Sequence, residues 1–246
     1  MNTMQDKAAI VTGGSRGIGK AIARRLAADG FGVAIGYASN QAQADESVAE
    51  IRQRGGKAIA VKGNVAEPGD VAELFRQTQA AFGRIDAVVS NAGIMELAPI
   101  AEDSLAAFDR TMATNVRGTF LMLAKAAEVL QEGGRIIAIS TSVIAKSLPG
   151  YGPYIASKSA VEGLVRVLAN ELRGRQITIN AVAPGPVGTE LFLNGKTAEQ
   201  ITALANMAPL QRLGEPDDIA HAVSFLAGPD GGWVNGQIVR VNGGFA

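Results

Sequence analysis

The chain has no cysteine, one histidine and one tryptophan in 246 residues, and aromatic residues make up 5% of it. Without cysteine there are no disulfides, no thiolate metal ligands and no cysteine nucleophile. The composition suits a reducing cytoplasm, which is the expected location. A lone histidine, His221, excludes a histidine-based metal site within one chain, and no metal is expected. An excess of either charge is missing too: 23 Lys and Arg balance 23 Asp and Glu. Neither a nucleic acid nor an anionic membrane is therefore favoured as a partner. The stretch Met1–Lys7 is polar, without the apolar core of a signal peptide. No apolar run reaches the ~18 residues of a membrane span.

What is present is a folded globule's balance, 47% hydrophobic and 19% charged, at a length that suits a single α/β domain over residues 1–246. Glycine is abundant, 30 residues without a collagen-like period, which suggests tight turns and close backbone approach. Strands are expected at Ala8–Val11, Gly32–Ile35, Ala58–Lys62, Ile85–Ser90, Arg135–Ser140, Thr178–Ala183 and Gln237–Val241. Most are apolar on both faces, as in a parallel sheet covered above and below. Helices are expected at Ile18–Ala28, Ala42–Arg54, Pro68–Phe82, Ala106–Leu130, Tyr154–Leu172 and Pro216–Leu226. Pro68 and Pro216 fit first helical turns, and Gly30, Gly55, Gly83 and Gly133 fall just past helix ends. The alternation predicts a Rossmann-like, doubly wound parallel α/β sheet of about seven strands with helices on both faces. One irregular stretch, Pro184–Asn194, leads into a short helix near Thr197–Ala205. A substrate-binding flap is expected there, over about 186–208.

The first strand runs into Thr12-Gly13-Gly14-Ser15-Arg16-Gly17-Ile18-Gly19 and then directly into a helix. Glycines at 13, 17 and 19 let the turn tighten and bring the helix N-terminus against a pyrophosphate. The same residues also spell G-x-S-x-G, the nucleophile elbow of serine hydrolases, with Ser15 as nucleophile. That alternative needs a downstream acid and His221 as base, and it would place the elbow on the first strand.

Tyr154 and Lys158 stand at i and i+4, on one face of a helix. A nearby ammonium favours a phenolate and lowers the tyrosine pKa, which makes the phenol a usable proton donor and acceptor. Tyr151 has no such partner, because Ile155 follows four residues on.

Taken together, these segments resemble the short-chain dehydrogenase/reductase family, in its single-domain 3-oxoacyl-carrier-protein-reductase-like form. The motifs occur in family order: Thr12–Gly19, Asn91-Ala92-Gly93, Asn115, Ser140-Thr141-Ser142, Tyr154 with Lys158, and Pro184-Gly185-Pro186-Val187-Gly188-Thr189. The resemblance implies an NAD(P)-dependent oxidoreductase moving hydride between nicotinamide and a ketone or 3-oxoacyl-type substrate. Tyr154 would exchange the proton at the carbonyl oxygen. Lys158 would hold the ribose and lower the phenol's pKa, and Asn115 would bind a water linking Lys158 to solvent, or kink its helix. Ser142, anchored on S-x-x-G spacing, would hold the carbonyl oxygen. Thr141, thirteen residues before the tyrosine, is the alternative. The cofactor would be held by Gly13, Ser15, Arg16, Gly17, Ile18 and Gly19, by Ala92 and Gly93, and by Pro184, Gly185, Val187 and Thr189. Asn91 would tie neighbouring strands together beside it. Asn64 and Val65 stand where the family often has Asp-Val at the adenine. A nucleotide-binding regulator without chemistry is the other alternative to a reductase.

The second strand ends in Tyr37, with Ser39 and Asn40 following and no acid before Asp45. A carboxylate there would accept the ribose hydroxyls of NAD; without one, NADP(H) is preferred and NAD(H) tolerated, with Ser39, Asn40 and Arg16 facing the 2′-phosphate. The pocket is expected to be mostly apolar, from Met95, Leu97, the segment Ile144 to Tyr151, and Leu191, Phe192 and Leu193. Glu96 and Lys146 are its polar handles. Arg117, Arg173 and Arg175 do not amount to an acyl-carrier patch. A homotetramer is expected, pairing the two long helices, with Val241–Ala246 packing a second interface.

Overall fold

Seven short strands collect in one sheet, the inner ones because their side chains are apolar on both sides. The structure, a computed structural model, describes residues 7–246. The strands are β1 (Ala8–Thr12), β2 (Gly32–Tyr37), β3 (Lys57–Lys62), β4 (Ala87–Ser90), β5 (Arg135–Ile139), β6 (Thr178–Pro184) and β7 (Ile238–Val241). All pairings are parallel, in the order β3-β2-β1-β4-β5-β6-β7. The direction of winding reverses between β1 and β4, and ligands bind at such a switch point, beyond the strands' carboxyl ends.

Residues alternate between two cores. Ala9, Val11, Val33, Ile35 and Val89 join Ile22, Leu26, Val48 and Val223. These come from α1 (Gly17–Ala28), α2 (Gln41–Gln53) and α9 (Pro216–Ala227). Ile10, Ala34, Val88 and Ile136 pack with Leu74, Met122 and Val161, from α3 (Pro68–Phe82), α5 (Gly118–Val129) and α6 (Gly152–Glu171). Each fully buried aliphatic contributes about 1.5–3 kcal/mol, so a one-residue slip in any strand would exchange the two cores.

Two segments depart from expectation. The helix expected at 106–130 is three pieces: α4 (Leu105–Thr111), a π-helical segment (Met112–Arg117) and α5. The wider turn lies where a Cβ on Gly118 would stand 2.6 Å from the Val65 side chain, so two backbones approach closely there. The irregular stretch at 184–194 contains a one-turn helix, α7 (Glu190–Leu193), whose cap is the Thr189 hydroxyl. The helix of the flap is α8 (Ala198–Asn206), opened by a reciprocal Thr197/Gln200 capping box. Among the described residues no helix is long and apolar enough to cross a membrane.

Candidate active site

At the switch point, the ends of β1 and β4 are laced together by side chains. The Thr12 hydroxyl accepts the backbone N–H groups of Asn91 and Ala92, each at 3.0 Å. Asn91 returns its amide to the Thr12 carbonyl at 2.8 Å and the Gly13 carbonyl at 3.3 Å. Gly13 is left-handed, φ +63°, and a Cβ on Gly19 would lie 2.1 Å from the Gly13 carbonyl oxygen. Only glycine at 19 lets α1 start that close to the strand. Its first turn has no side-chain cap, so free N–H groups and the positive end of the helix are open to an anion.

This cradle is one arm of a cleft of about 560 Å³, a normal size for a ligand site. The other arm holds the titratable groups. Tyr154 and Lys158 both line it from the start of α6. Lys158 is 4% exposed, donates to the Ile139 carbonyl at 2.7 Å, and has its ammonium 6.0 Å from the centre of the Tyr154 ring. Burial pushes Lys158 down to about 8. Burial also pushes Tyr154 up to about 12; the Thr141 hydroxyl bonded to it works the other way, and the neighbouring Tyr151 adds to the rise. In this structure desolvation thus outweighs the expected lowering of the phenol by Lys158. Tyr154 is held protonated at neutral pH.

Asn115 lies in the π segment, fully buried. Its carbonyl oxygen accepts from the Ile94 N–H and its amide donates to the Ile94 carbonyl, both at 2.9 Å. The amide also donates to the Ser157 hydroxyl at 3.0 Å. The helix distortion is therefore present, but the side chain bonds the loop after β4 rather than its own helix. Gly93 leaves room beside this pair: a Cβ there would be 3.2 Å from the Asn115 oxygen and 3.4 Å from the Lys158 nitrogen.

At the far end of the cleft Tyr37 is 7% exposed and Ser39, Asn40 and Gln43 line the wall. Asn40 caps α2, its oxygen accepting the Gln43 N–H. Arg16 pairs at 3.1 Å with Glu190 of the flap. The Asn64 oxygen, expected to accept from an adenine amino group, here accepts the Ala66 N–H at 3.1 Å. Asp70, which the sequence analysis did not single out, also lines this end and accepts the Asn64 N–H.

The family described as enoyl-(acyl carrier protein) reductase matches residues 13–246. The chain belongs to the short-chain dehydrogenase/reductase family. A "Short-chain type dehydrogenase/reductase" of Picea abies is 47% identical, over 97% of this chain and 92% of that protein. The "NADPH-dependent aldehyde reductase-like protein, chloroplastic" of Arabidopsis thaliana is 44% identical over 97% and 94%. A solved short-chain dehydrogenase from Burkholderia cenocepacia in complex with NADP superimposes with a TM-score of 0.93 at 39% identity, covering 99% of both chains. This short-chain dehydrogenase/reductase is an NAD(P)-dependent oxidoreductase with a Rossmann-like sheet.

The cleft of this family member fits a dinucleotide: a Cβ would fill the cradle at Gly19, and one at Gly93 would crowd Lys158. Gly13, Ser15, Arg16, Gly17, Ile18, Gly19, Tyr37, Ser39, Asn40, Asn64, Val65, Asn91, Ala92, Gly93, Pro184, Gly185, Val187 and Thr189 all line it. Ser142 does not. Its hydroxyl, 1% exposed, donates to the Ala183 carbonyl at 2.8 Å and accepts from the Asn242 amide at 2.9 Å. Thr141, whose hydroxyl is bonded to Tyr154, lines the cleft instead. The structure therefore brings to the cleft the hydroxyl at the thirteen-residue spacing, Thr141, and not the one anchored on S-x-x-G, Ser142. The hydrolase alternative falls on His221, which is exposed on α9 and does not line the cleft with Ser15.

At the substrate end Met95, Leu148, Tyr151, Leu191 and Phe192 line the cleft as expected, together with Ile94, Val143, Leu204 and Phe245. Glu96 is not a free handle, because Arg110 holds it at 2.8 Å. Lys146 lies over the Phe245 ring, 5.0 Å from its centre. Arg117 and Arg175 are spent on backbone carbonyls, Ala66 for the first and Ala127 and Leu130 for the second. Phe245 was expected only at an interface between subunits; no periodic pattern in the six-residue tail distinguishes a cleft wall from an interface.

Proposed function

We propose that the protein is an NADP(H)-dependent reductase of small, apolar ketones or 3-oxoacyl-type compounds, acting as a single catalytic domain with a flap over about 186–208. The observation that carries this reading is the Thr141–Tyr154–Lys158 cluster, which opens into the same cleft as the glycine cradle. The bound cofactor supplies a hydride to the carbonyl carbon. Tyr154 donates its proton to the carbonyl oxygen, and Thr141 hydrogen-bonds that oxygen as negative charge develops. Lys158 holds the ribose and compensates the phenolate left on Tyr154. Asn115 acts at one remove, by fixing Ile94 and Ser157 around them. The test is a panel of ketones, aldehydes and 3-oxoacyl thioesters, followed by loss of the dihydronicotinamide absorbance with each cofactor. No turnover of any of them overturns the reading.

NADP(H) is favoured by what stands at the end of β2. Tyr37 replaces the carboxylate, and Ser39 and Asn40 line the wall beside it. Arg16 and Glu190 are 60% and 70% exposed; such a pair contributes about 0–1 kcal/mol, so a 2′-phosphate takes Arg16 at little cost. The Arabidopsis relative, described as NADPH-dependent, supports the same choice. Tyr37→Asp is expected to shift the NADPH/NADH ratio of kcat/KM toward NADH by about 1–3 kcal/mol, measured by steady-state kinetics with both cofactors.

The proposed assembly is a homotetramer, and the proposed location the cytoplasm. Phe108, Phe120 and Val167, on α4, α5 and α6, are 37%, 54% and 57% exposed, large apolar side chains left on the outer faces of those helices. Trp233 is a further large apolar side chain, 99% exposed. Light scattering at micromolar concentration is expected to report a tetramer; a monomer overturns this assembly.

A further inference from the structure

The substrate end contains a second phenol that the reaction above leaves without a role. Tyr151 lines the cleft beside Tyr154, with ring centres 6.5 Å apart and planes at 65°, an edge-to-face contact. Among the described residues no protein group hydrogen-bonds its hydroxyl. Burial raises its pKa, so it remains a donor. Around it the wall includes the apolar side chains Met95, Leu148, Phe192 and Phe245.

The position of Tyr151 is fixed by its backbone. Its N–H donates to the Leu148 carbonyl at 3.2 Å and its carbonyl accepts the Ile155 N–H at 2.8 Å. The preceding Gly150 is left-handed, φ +80°, and its carbonyl accepts the Ala98 N–H at 2.9 Å. A Cβ on the following Gly152 would stand 2.7 Å from Ile100. An unpaired hydroxyl held this firmly in a mostly apolar pocket favours ligands that supply an acceptor.

We propose that Tyr151 is a specificity-determining residue that hydrogen-bonds a second oxygen adjacent to the reacting carbonyl, so that the preferred substrates are 1,2-dicarbonyl compounds and related 2-oxygenated ketones. This rests on the reductase reading. Thr141 and Tyr154 take the reacting oxygen and Tyr151 takes its neighbour. One carbonyl gains a hydride from NADPH and a proton from Tyr154, yielding the 2-hydroxy ketone and NADP⁺, while the second carbonyl is unchanged.

The test compares 1-phenyl-1,2-propanedione with 1-phenyl-2-propanone, which lacks only the second oxygen. In Tyr151→Phe the ring contact survives, and the ratio of kcat/KM for the dione to that for the monoketone is expected to fall about five- to tenfold, mainly through KM. In the dead-end complex with NADP⁺, the calorimetric Kd of the dione is expected to rise by a similar factor. An unchanged ratio, or equal losses on both ketones, overturns the role of Tyr151 while leaving the reductase reading in place. A wild-type enzyme that reduces neither ketone nor any other carbonyl overturns both.

Discussion

Tyr154→Phe is expected to lower kcat by about 10²–10⁴-fold, the usual contribution of a positioned general acid, with NADPH affinity nearly unchanged. The substitution removes one hydroxyl and keeps the ring against Tyr151 and below Lys158. Pre-steady-state hydride transfer and fluorescence titration of NADPH separate the two quantities. The pH profile follows from the same pair. Tyr154, raised to about 12, stays protonated across the working range, so its own ionisation does not limit reduction there. Lys158, lowered to about 8 by burial, is charged below that value and neutral above it. The phenolate formed after proton transfer needs that charge, so reduction is expected to decline as pH rises through about 8. A profile flat from neutral to pH well above this value would remove Lys158 from the charge balance; normal turnover in the Phe variant would sink the mechanism.

The second large effect separates two adjacent hydroxyls. Thr141→Val is expected to cost about 10²–10³-fold in kcat, as loss of an oxyanion donor does, with little change in folding stability. Ser142→Ala is expected to behave in the opposite way. It breaks buried bonds to Ala183 and Asn242, leaving polar groups unpaired at about 1–3 kcal/mol, and lowers the melting temperature more than the turnover. Kinetics and thermal unfolding of both variants decide the matter. A larger kinetic loss at Ser142 would return the carbonyl-binding role to it.

This reversal shows what kind of information a linear sequence carries. The sheet was legible because doubly buried strands leave apolar runs and because a glycine must stand wherever α1 touches β1. Tyr154 and Lys158 were legible because helical spacing puts i and i+4 on one face. The choice between Thr141 and Ser142 was not, because it depends on Asn242, a hundred residues away, which takes the Ser142 hydroxyl into the β6–β7 side of the sheet. The π segment was hidden for a similar reason. It goes with the grip of Asn115 on Ile94, a tertiary contact with no local periodicity. Phe245 and Asp70 carried no signal at all, since nothing near either in the chain marks it as part of a cleft.

That grip also divides the cleft mechanically. Asn115 holds both polar atoms of the Ile94 backbone, and Gly150 is tied to Ala98, so the wall from Ile94 through Tyr151 is bolted to the helices behind it. The opposite wall has no comparable anchorage. Neither α7 nor α8 buries a residue, and the attachments of this segment lie at its two ends: Gly185 to Val241, Pro186 and Gly188 to Gly214, and Leu210 to Gly243 through the backbone, with the exposed clasp between Arg16 and Glu190 beside them. The cleft thus has one wall, carrying Tyr154, that is tied down through Asn115 and Gly150, and a second that carries the apolar side chains Leu191, Phe192 and Leu204. Under the proposed reaction, differences in substrate bulk would fall on the second wall and the geometry of proton transfer on the first.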